Sequence, residues 1–159
     1  MEELYQREST SLVRLARLFT DDRNAAEDLV QEAFIRLFHS AHRIQDEARV
    51  AAYLRSIVLN LARDHNRRGL MSLRHQEAMV DRSVPIQPDE EVVRTSGQAA
   101  ILDALRNLSP RQRDCLVLRF YMELSESEIA STLDISPNSV KTHCRRGLAA
   151  MAEALGEGS

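Results

Sequence analysis

The chain has 159 residues, a formal net charge of -3, 43% hydrophobic and 28% charged residues, no Trp and 5 Gly. That length holds one ordinary domain or two small ones, and the scarcity of Gly, Pro and aromatic residues argues against sandwiches and barrels. The acidic start Met1-Glu2-Glu3 has no apolar stretch behind it, and no apolar run approaches the ~18 residues of a membrane span, so no membrane segment and a cytoplasmic location are expected.

In chain order, residues 4–39 read as two helices. Leu4, Leu12, Leu15, Ala16 and Phe19 share one face of the first. Asp21-Asp22 supplies a turn and an N-cap. Ala26, Leu29, Val30, Ala33, Phe34, Leu37 and Phe38 form the stripe of the second. Residues 40–48 break the pattern and read as a loop. A third helix is expected from about Val50 to Arg68, with Leu54, Ile57, Val58 and Leu61 inward and Gly69 as its C′ residue. Residues 81–98 hold Pro85, Pro88, Gly97 and Asp89-Glu90-Glu91. They read as a linker, in which Glu90–Thr95 is a candidate helix start. The division expected is therefore 1–78, a linker 79–97, and 98–159.

The second half is helical again. Ala99, Ile101, Leu102, Leu105 and Leu108 make a stripe. Ser109-Pro110 caps and restarts the chain, and Leu116, Val117, Phe120 and Tyr121 continue the core. Ser125 with Glu128 has the spacing of a capping box before a short helix, Glu126–Leu133. Ser136-Pro137 opens a last helix that runs to about Leu155. The fold class is all-α, in two small helical domains.

Charge is segregated. Asp21, Asp22, Glu27, Asp28 and Glu32 face one base, Arg23, within residues 21–32. Arg55, Arg63, Arg67, Arg68 and Arg74 face one acid, Asp64, within residues 55–74. An acidic and a basic helix in one module point to two different partners. Cys115 and Cys144 stand in apolar rows without a Cys-x-x-Cys or Cys/His cluster, so buried thiols are expected and no metal site.

Residues 124–146 have the pattern of a helix-turn-helix. Ile129, Ala130, Leu133, Ile135 and Val140 take the packing positions, Ala130 being small enough for close approach. Pro137, Asn138, Ser139, Lys141, Thr142, Arg145 and Arg146 are left on the outer side of the second helix. Its N-terminal half is the part that enters a major groove. Arg suits guanine edges, Asn suits adenine, and Lys, Ser and Thr suit phosphates. Val-Lys-Thr-His also resembles LuxR-type output domains, so this motif alone does not name a family.

The rest of the chain adds what the motif lacks. Residues 22–38, Asp-Arg-Asn-Ala-Ala-Glu-Asp-Leu-Val-Gln-Glu-Ala-Phe-Ile-Arg-Leu-Phe, resemble region 2.2 of the sigma-70 family. Residues 52–68 resemble regions 2.3 and 2.4 of its extracytoplasmic-function (ECF) group, and Leu108–Tyr121 resembles the opening of region 4. This likeness covers nearly the whole chain in order. It implies that Glu27, Asp28, Leu29, Gln31, Glu32 and Phe34 dock on the β′ clamp coiled coil of core RNA polymerase, with the β flap as a second contact. It also implies that Ser56, Asn60, Arg63, Asp64, Arg67 and Arg68, with a loop at about 41–49 that takes an extruded base, read the −10 promoter element. The helix-turn-helix would read the −35 element, and an anti-sigma factor would control the protein.

Two positions depart from the family pattern. Ala25 stands where Asp is usual, and Tyr53 stands where Trp is common and is expected in the core. The rival reading is a free-standing helix-turn-helix regulator, dimeric on a palindrome. An enzyme is not expected: no nucleophile–base pair, metal-ligand set or Gly-rich phosphate loop occurs, and no cofactor is called for.

Overall fold

The computed structural model describes residues 2–40, 46–66, 70 and 88–156, and for residues 88–96 the backbone alone. Among the described residues every regular element is helical: α1 (Glu2–Ala16), α2 (Arg23–Ser40), α3 (Glu47–His65), α4 (Pro88–Arg106), α5 (Pro110–Leu116), α6 (Glu126–Leu133) and α7 (Pro137–Gly156). A π-helical turn, Val117–Tyr121, extends α5.

The N-terminal half packs α1, α2 and α3 against one another. Leu12, Leu15, Phe19, Ala26, Val30, Leu37, Leu54 and Val58 lose essentially all contact with water there. Each of these except Ala26 contributes roughly 1.5–3 kcal/mol by burial. Asp22 caps α2 as its position implies: its Oδ1 accepts from Asn24 N at 2.9 Å.

Three sequence expectations shift at helix ends. α3 begins at Glu47 because Asp46 is its N-cap, accepting from Ala48 N at 3.0 Å. It stops at His65, short of Arg68. There Asn66 turns to an extended backbone, and its Nδ2 donates to Phe19 O at 2.9 Å. Gly69, the loop residues 41–45 and residues 71–87 lie outside the described residues. α4 starts at Pro88, inside the range read as linker. Proline at a first helical position forfeits no hydrogen bond.

Three aromatic assignments to the core fail. Phe38, Tyr53 and Phe120 are exposed. They sit at the edge of their apolar stripes, where one step of 100° turns a side chain from core to solvent. Of the expected α4 stripe, Leu102 and Leu105 are buried, while Ala99 and Ile101 face outward.

The C-terminal half packs α5 and α6 on α7. Gly147 lets α7 approach α5: a Cβ there would lie 2.9 Å from Leu116 Cδ1 and 3.2 Å from Leu116 Cγ. Leu116 is itself buried, so a larger side chain here displaces a core residue. The two halves share one apolar cluster, and Leu18 and Leu70 line one groove with Tyr121.

A Gly147→Val variant therefore overpacks this contact. It should lose ~1–3 kcal/mol of stability, read as a lowered urea midpoint with an unchanged slope.

Candidate functional site

Three polar surfaces carry the residues singled out by sequence. The first is the outer face of α2. Asp28, Gln31 and Glu32 are exposed, Glu27 is half-buried, and Leu29 is partly buried against the core. Phe34 points the other way. It is buried and its ring lies 4.9 Å from that of Tyr5, so it supports the helix from beneath. Two acids are already engaged locally. Glu27 Oε1 accepts from Arg23 Nε at 3.1 Å, and Glu32 Oε2 from Arg36 Nε at 3.3 Å. Such exposed pairs are worth little and leave the carboxylates open to a partner. The same face continues into Ile35 and Phe38, 54% and 66% exposed. Sequence reading placed Phe38 in the core and passed over Ile35. The spacing 28, 31, 35, 38 would have joined them to the acidic row.

The second surface lies on α3. Asn60 and Asp64 are exposed, while Ser56 and Arg63 are half-buried. Ser56 and Arg63 turn toward the other half, and Asn60 stays exposed beside them. With Leu59 they line one wall of a polar cleft of about 410 Å³, and Pro110, Arg111, Asp114, Thr132 and Leu133 line the other. Arg63 is hydrogen-bonded and ion-paired to Asp114. Arg55, one of the arginines of the basic run, is buried and donates from Nε to Thr132 Oγ1 at 3.0 Å. Burial pulls its guanidinium below its ordinary pKa, opposed by the charges of Glu128 and Glu8. Burial likewise pushes the Asp114 carboxyl up, opposed first by Arg63. Arg67 and Arg68 lie outside the described residues.

The third surface is the helix-turn-helix. Ser125 Oγ accepts from Glu128 N at 3.1 Å, and Glu128 Oε1 accepts from Ser125 N at 2.9 Å, closing the capping box. Asp134 ends α6 in the left-handed region at φ 58°, and the Ile135 N–H reaches back to Ala130 O at 3.1 Å. Ser136 Oγ accepts from Ser139 N at 3.1 Å and starts α7. Val140 is fully buried against α6, as its motif position requires. Pro137, Asn138, Lys141, Arg145 and Arg146 are exposed, with Ser139 and Thr142 half-buried. Asn138, Lys141, Thr142 and Arg145 form one row at spacings of three and four.

An apolar groove of about 470 Å³ lies where the two halves meet, lined by Leu18 and Leu70 together with α4, the π turn and the end of α7. Its lining includes Ile101, Phe120, Leu148 and Leu155, all exposed. Cys115 is buried and Cys144 half-buried. The Cys115 thiol, which neighbours Cys144, is pushed up to about 12, chiefly by burial. Among the described residues no His/Cys/Asp/Glu cluster could hold a metal ion, and no helix is long and apolar enough to cross a membrane.

Comparison with known proteins agrees with this arrangement. The sigma-70 region 2 family model matches residues 4–69, and the sigma-70 region 4 model matches residues 98–151. The RNA polymerase sigma-E factor of Streptomyces avermitilis is 31% identical over 154 residues, which is 97% of this chain and 84% of that protein. The chain belongs to the sigma-70 family, in its ECF group. The sigma-E factor of Streptomyces coelicolor is likewise 31% identical, across 97% of this chain and 85% of its own length. The ECF sigma factor BldN of the same species is 30% identical over 96% of this chain and 59% of that one. Among solved structures, CnrH in complex with the cytosolic domain of CnrY shares the fold at a TM-score of 0.69 and 23% identity, covering 99% of this chain and 88% of that one. RpoE in complex with the anti-sigma factor NepR from Bartonella quintana does so at 0.60 and 19%, covering 98% of both chains. Sigma factors are DNA-binding initiation factors rather than enzymes.

The capping box that orients the helix-turn-helix makes stability depend on acid. The Ser125 N–H bond holds the Glu128 carboxyl below its ordinary pKa, against a smaller upward push from partial burial. A group lowered in the folded state stabilises above its unfolded pKa, and that stabilisation fades as pH falls through the folded value. Replacing Glu128 by Gln should flatten this acid limb and cost ~0.5 kcal/mol at neutral pH. Urea midpoints at neutral and acid pH read both effects.

Proposed function

We propose that this ECF sigma factor docks on core RNA polymerase through the outer face of α2. It reads a −10 element with the polar row of α3 and a −35 element with the N-terminal half of α7, and so directs promoter-specific initiation. The observation that carries this reading is the row Asn138, Lys141, Thr142 and Arg145, exposed except at the half-buried Thr142. It stands on a helix whose opposite face is held by Val140 against α6. Such a row matches the donor pattern of a major groove, with phosphate contacts from Lys141 and Arg146.

On α2, Asp28, Gln31 and Glu32 beside Ile35 and Phe38 offer a partner both charge and apolar area. That mixture suits a basic helical surface, as in the β′ coiled coil. On α3, Asn60 and Arg63 supply base-edge and phosphate contacts, joined by Asp64; Arg67 and Arg68, outside the described residues, are assigned to the same element by the resemblance. The exposed apolar side chains of the C-terminal half at the groove, Phe120, Leu148 and Leu155, suit the β flap. Control by an anti-sigma factor follows from the solved relative bound to one, and cytoplasmic action follows from the partners proposed.

Each module tests separately. Asp28→Lys with Glu32→Lys should abolish co-purification with core polymerase and leave the helical signal intact. Arg145→Ala should weaken transcription about tenfold or more, and only from promoters with an intact −35 element. Asn60→Ala should alter preference at the −10 element alone. Unchanged promoter choice in both alanine variants would remove these assignments while leaving the family membership standing.

A further inference from the structure

The direction in which α7 is presented is set at the end of α6, because only Asp134, Ile135 and Ser136 separate the two helices. Asp134 takes the left-handed region, φ 58° and ψ 49°, where a Cβ meets the following carbonyl. Glycine is the usual residue at such a helix end. Here the turn is held from outside instead. The Asp134 N–H donates to Ala130 O. The carbonyl of the same peptide unit, Leu133 O, accepts from Arg111 Nη1 at 3.3 Å. Both polar groups of the Leu133–Asp134 peptide are therefore held, and with them the two dihedrals on which the departure of α7 depends.

The other end of α6 repeats the device. Glu123, just ahead of it, is also left-handed at φ 58°; it and Asp134 are the non-glycine residues with positive φ among the described residues. The neighbouring Leu124 donates from its N–H to Leu118 O at 3.0 Å, and its carbonyl accepts from Arg119 Nη1 at 3.4 Å. Each left-handed residue that brackets α6 thus sits beside a carbonyl held by an arginine of α5 or its π turn. All of these partners belong to the C-terminal half. Arg111 itself stands in a fixed turn: Pro110 opens α5, and Ser109 Oγ accepts from Gln112 N at 3.3 Å. Its guanidinium meets the end of α6, where carbonyls lack helical partners and a cation is favoured. It lies on a different helix from the row Asn138, Lys141, Thr142 and Arg145.

We propose that Arg111 is a positioning residue for the −35 reader. It holds the Leu133–Asp134 peptide, and so the angle at which α7 is presented, without a DNA contact of its own. This rests on the assignment of α7 to the −35 element. A cation that holds a carbonyl differs measurably from one that neutralises a phosphate. Loss of the first lowers affinity for the element; loss of the second also reduces the salt dependence of binding.

Two measurements on the full chain test this. In the free protein, amide hydrogen exchange reads the turn without DNA. Arg111→Ala should speed exchange of the Ile135 N–H, which donates to Ala130 O at 3.1 Å, about fivefold, the net weight of one hydrogen bond. Exchange inside α7 should not change. In the holoenzyme with core polymerase, Arg111→Ala should weaken binding about fivefold to a promoter with an intact −35 element, and leave binding to one with that element scrambled unchanged. Its salt slope should match wild type, whereas Arg146→Ala should flatten the slope by about 0.9. Arg111→Lys, which keeps a donor and the charge, should recover most of both losses. Unchanged exchange at Ile135 would overturn the proposal. A slope flattened by about 0.9 in Arg111→Ala makes the residue a phosphate contact and overturns it as well. So does an equal loss on both promoters or a general loss of helical signal, either of which makes Arg111 an ordinary stabilising residue. If Arg145→Ala loses −35 dependence and Arg111→Ala does not, the positioning role fails alone. If neither variant affects it, the α7 assignment fails and takes the positioning role with it.

Discussion

The structure depends on α3 serving two masters. Its apolar row, Leu54, Val58 and Ala62, is buried in the N-terminal core. Its polar row, Arg55, Ser56 and Arg63, meets α5 and α6 of the other half. A helix that is apolar on one side and cationic on the other needs a partner for each side. Water, nucleic acid or a protein carboxylate can all serve the second. In the free chain that partner is Asp114, supported by Thr132.

Such a design suits a protein whose readers are weak alone. Each module presents only a few base-directed side chains. Joined by a chain segment, they gain through effective concentration once something holds them at the right spacing. Core polymerase would supply that spacing through α2, where acids and the exposed pair Ile35 and Phe38 share a face.

Much of this was legible in the sequence wherever the signal is local. Caps at Asp22, Ser109, Ser125 and Ser136 lie within four residues of the N–H groups they receive, and the structure keeps each of them. The helix-turn-helix was fully legible because its packing positions and its exposed row lie within one short window. Helix boundaries were less so. Asp46 is a good cap that the preceding loop pattern masked, and Pro88 opens a helix where Pro and Gly content suggested a linker. Phe38, Tyr53 and Phe120 were misread because aromatic residues at a stripe's edge satisfy the same periodicity from either side. The closed arrangement was not legible at all. Arg55 and Thr132 are 77 positions apart, and Arg63 and Asp114 are 51 apart. No periodicity links such residues, and an arginine on an exposed-looking row reads as a nucleic-acid contact whether or not a carboxylate already holds it.

The central claim is that this chain is a polymerase subunit that reads two elements at once. The direct measurement is reconstituted transcription with core polymerase over a promoter library in which both elements and the spacer length between them vary. The account predicts transcripts that require the chain, depend on two separated elements, and peak sharply at one spacer length. It is contradicted if no transcripts depend on the chain, while the protein alone binds a palindromic site tightly as a dimer.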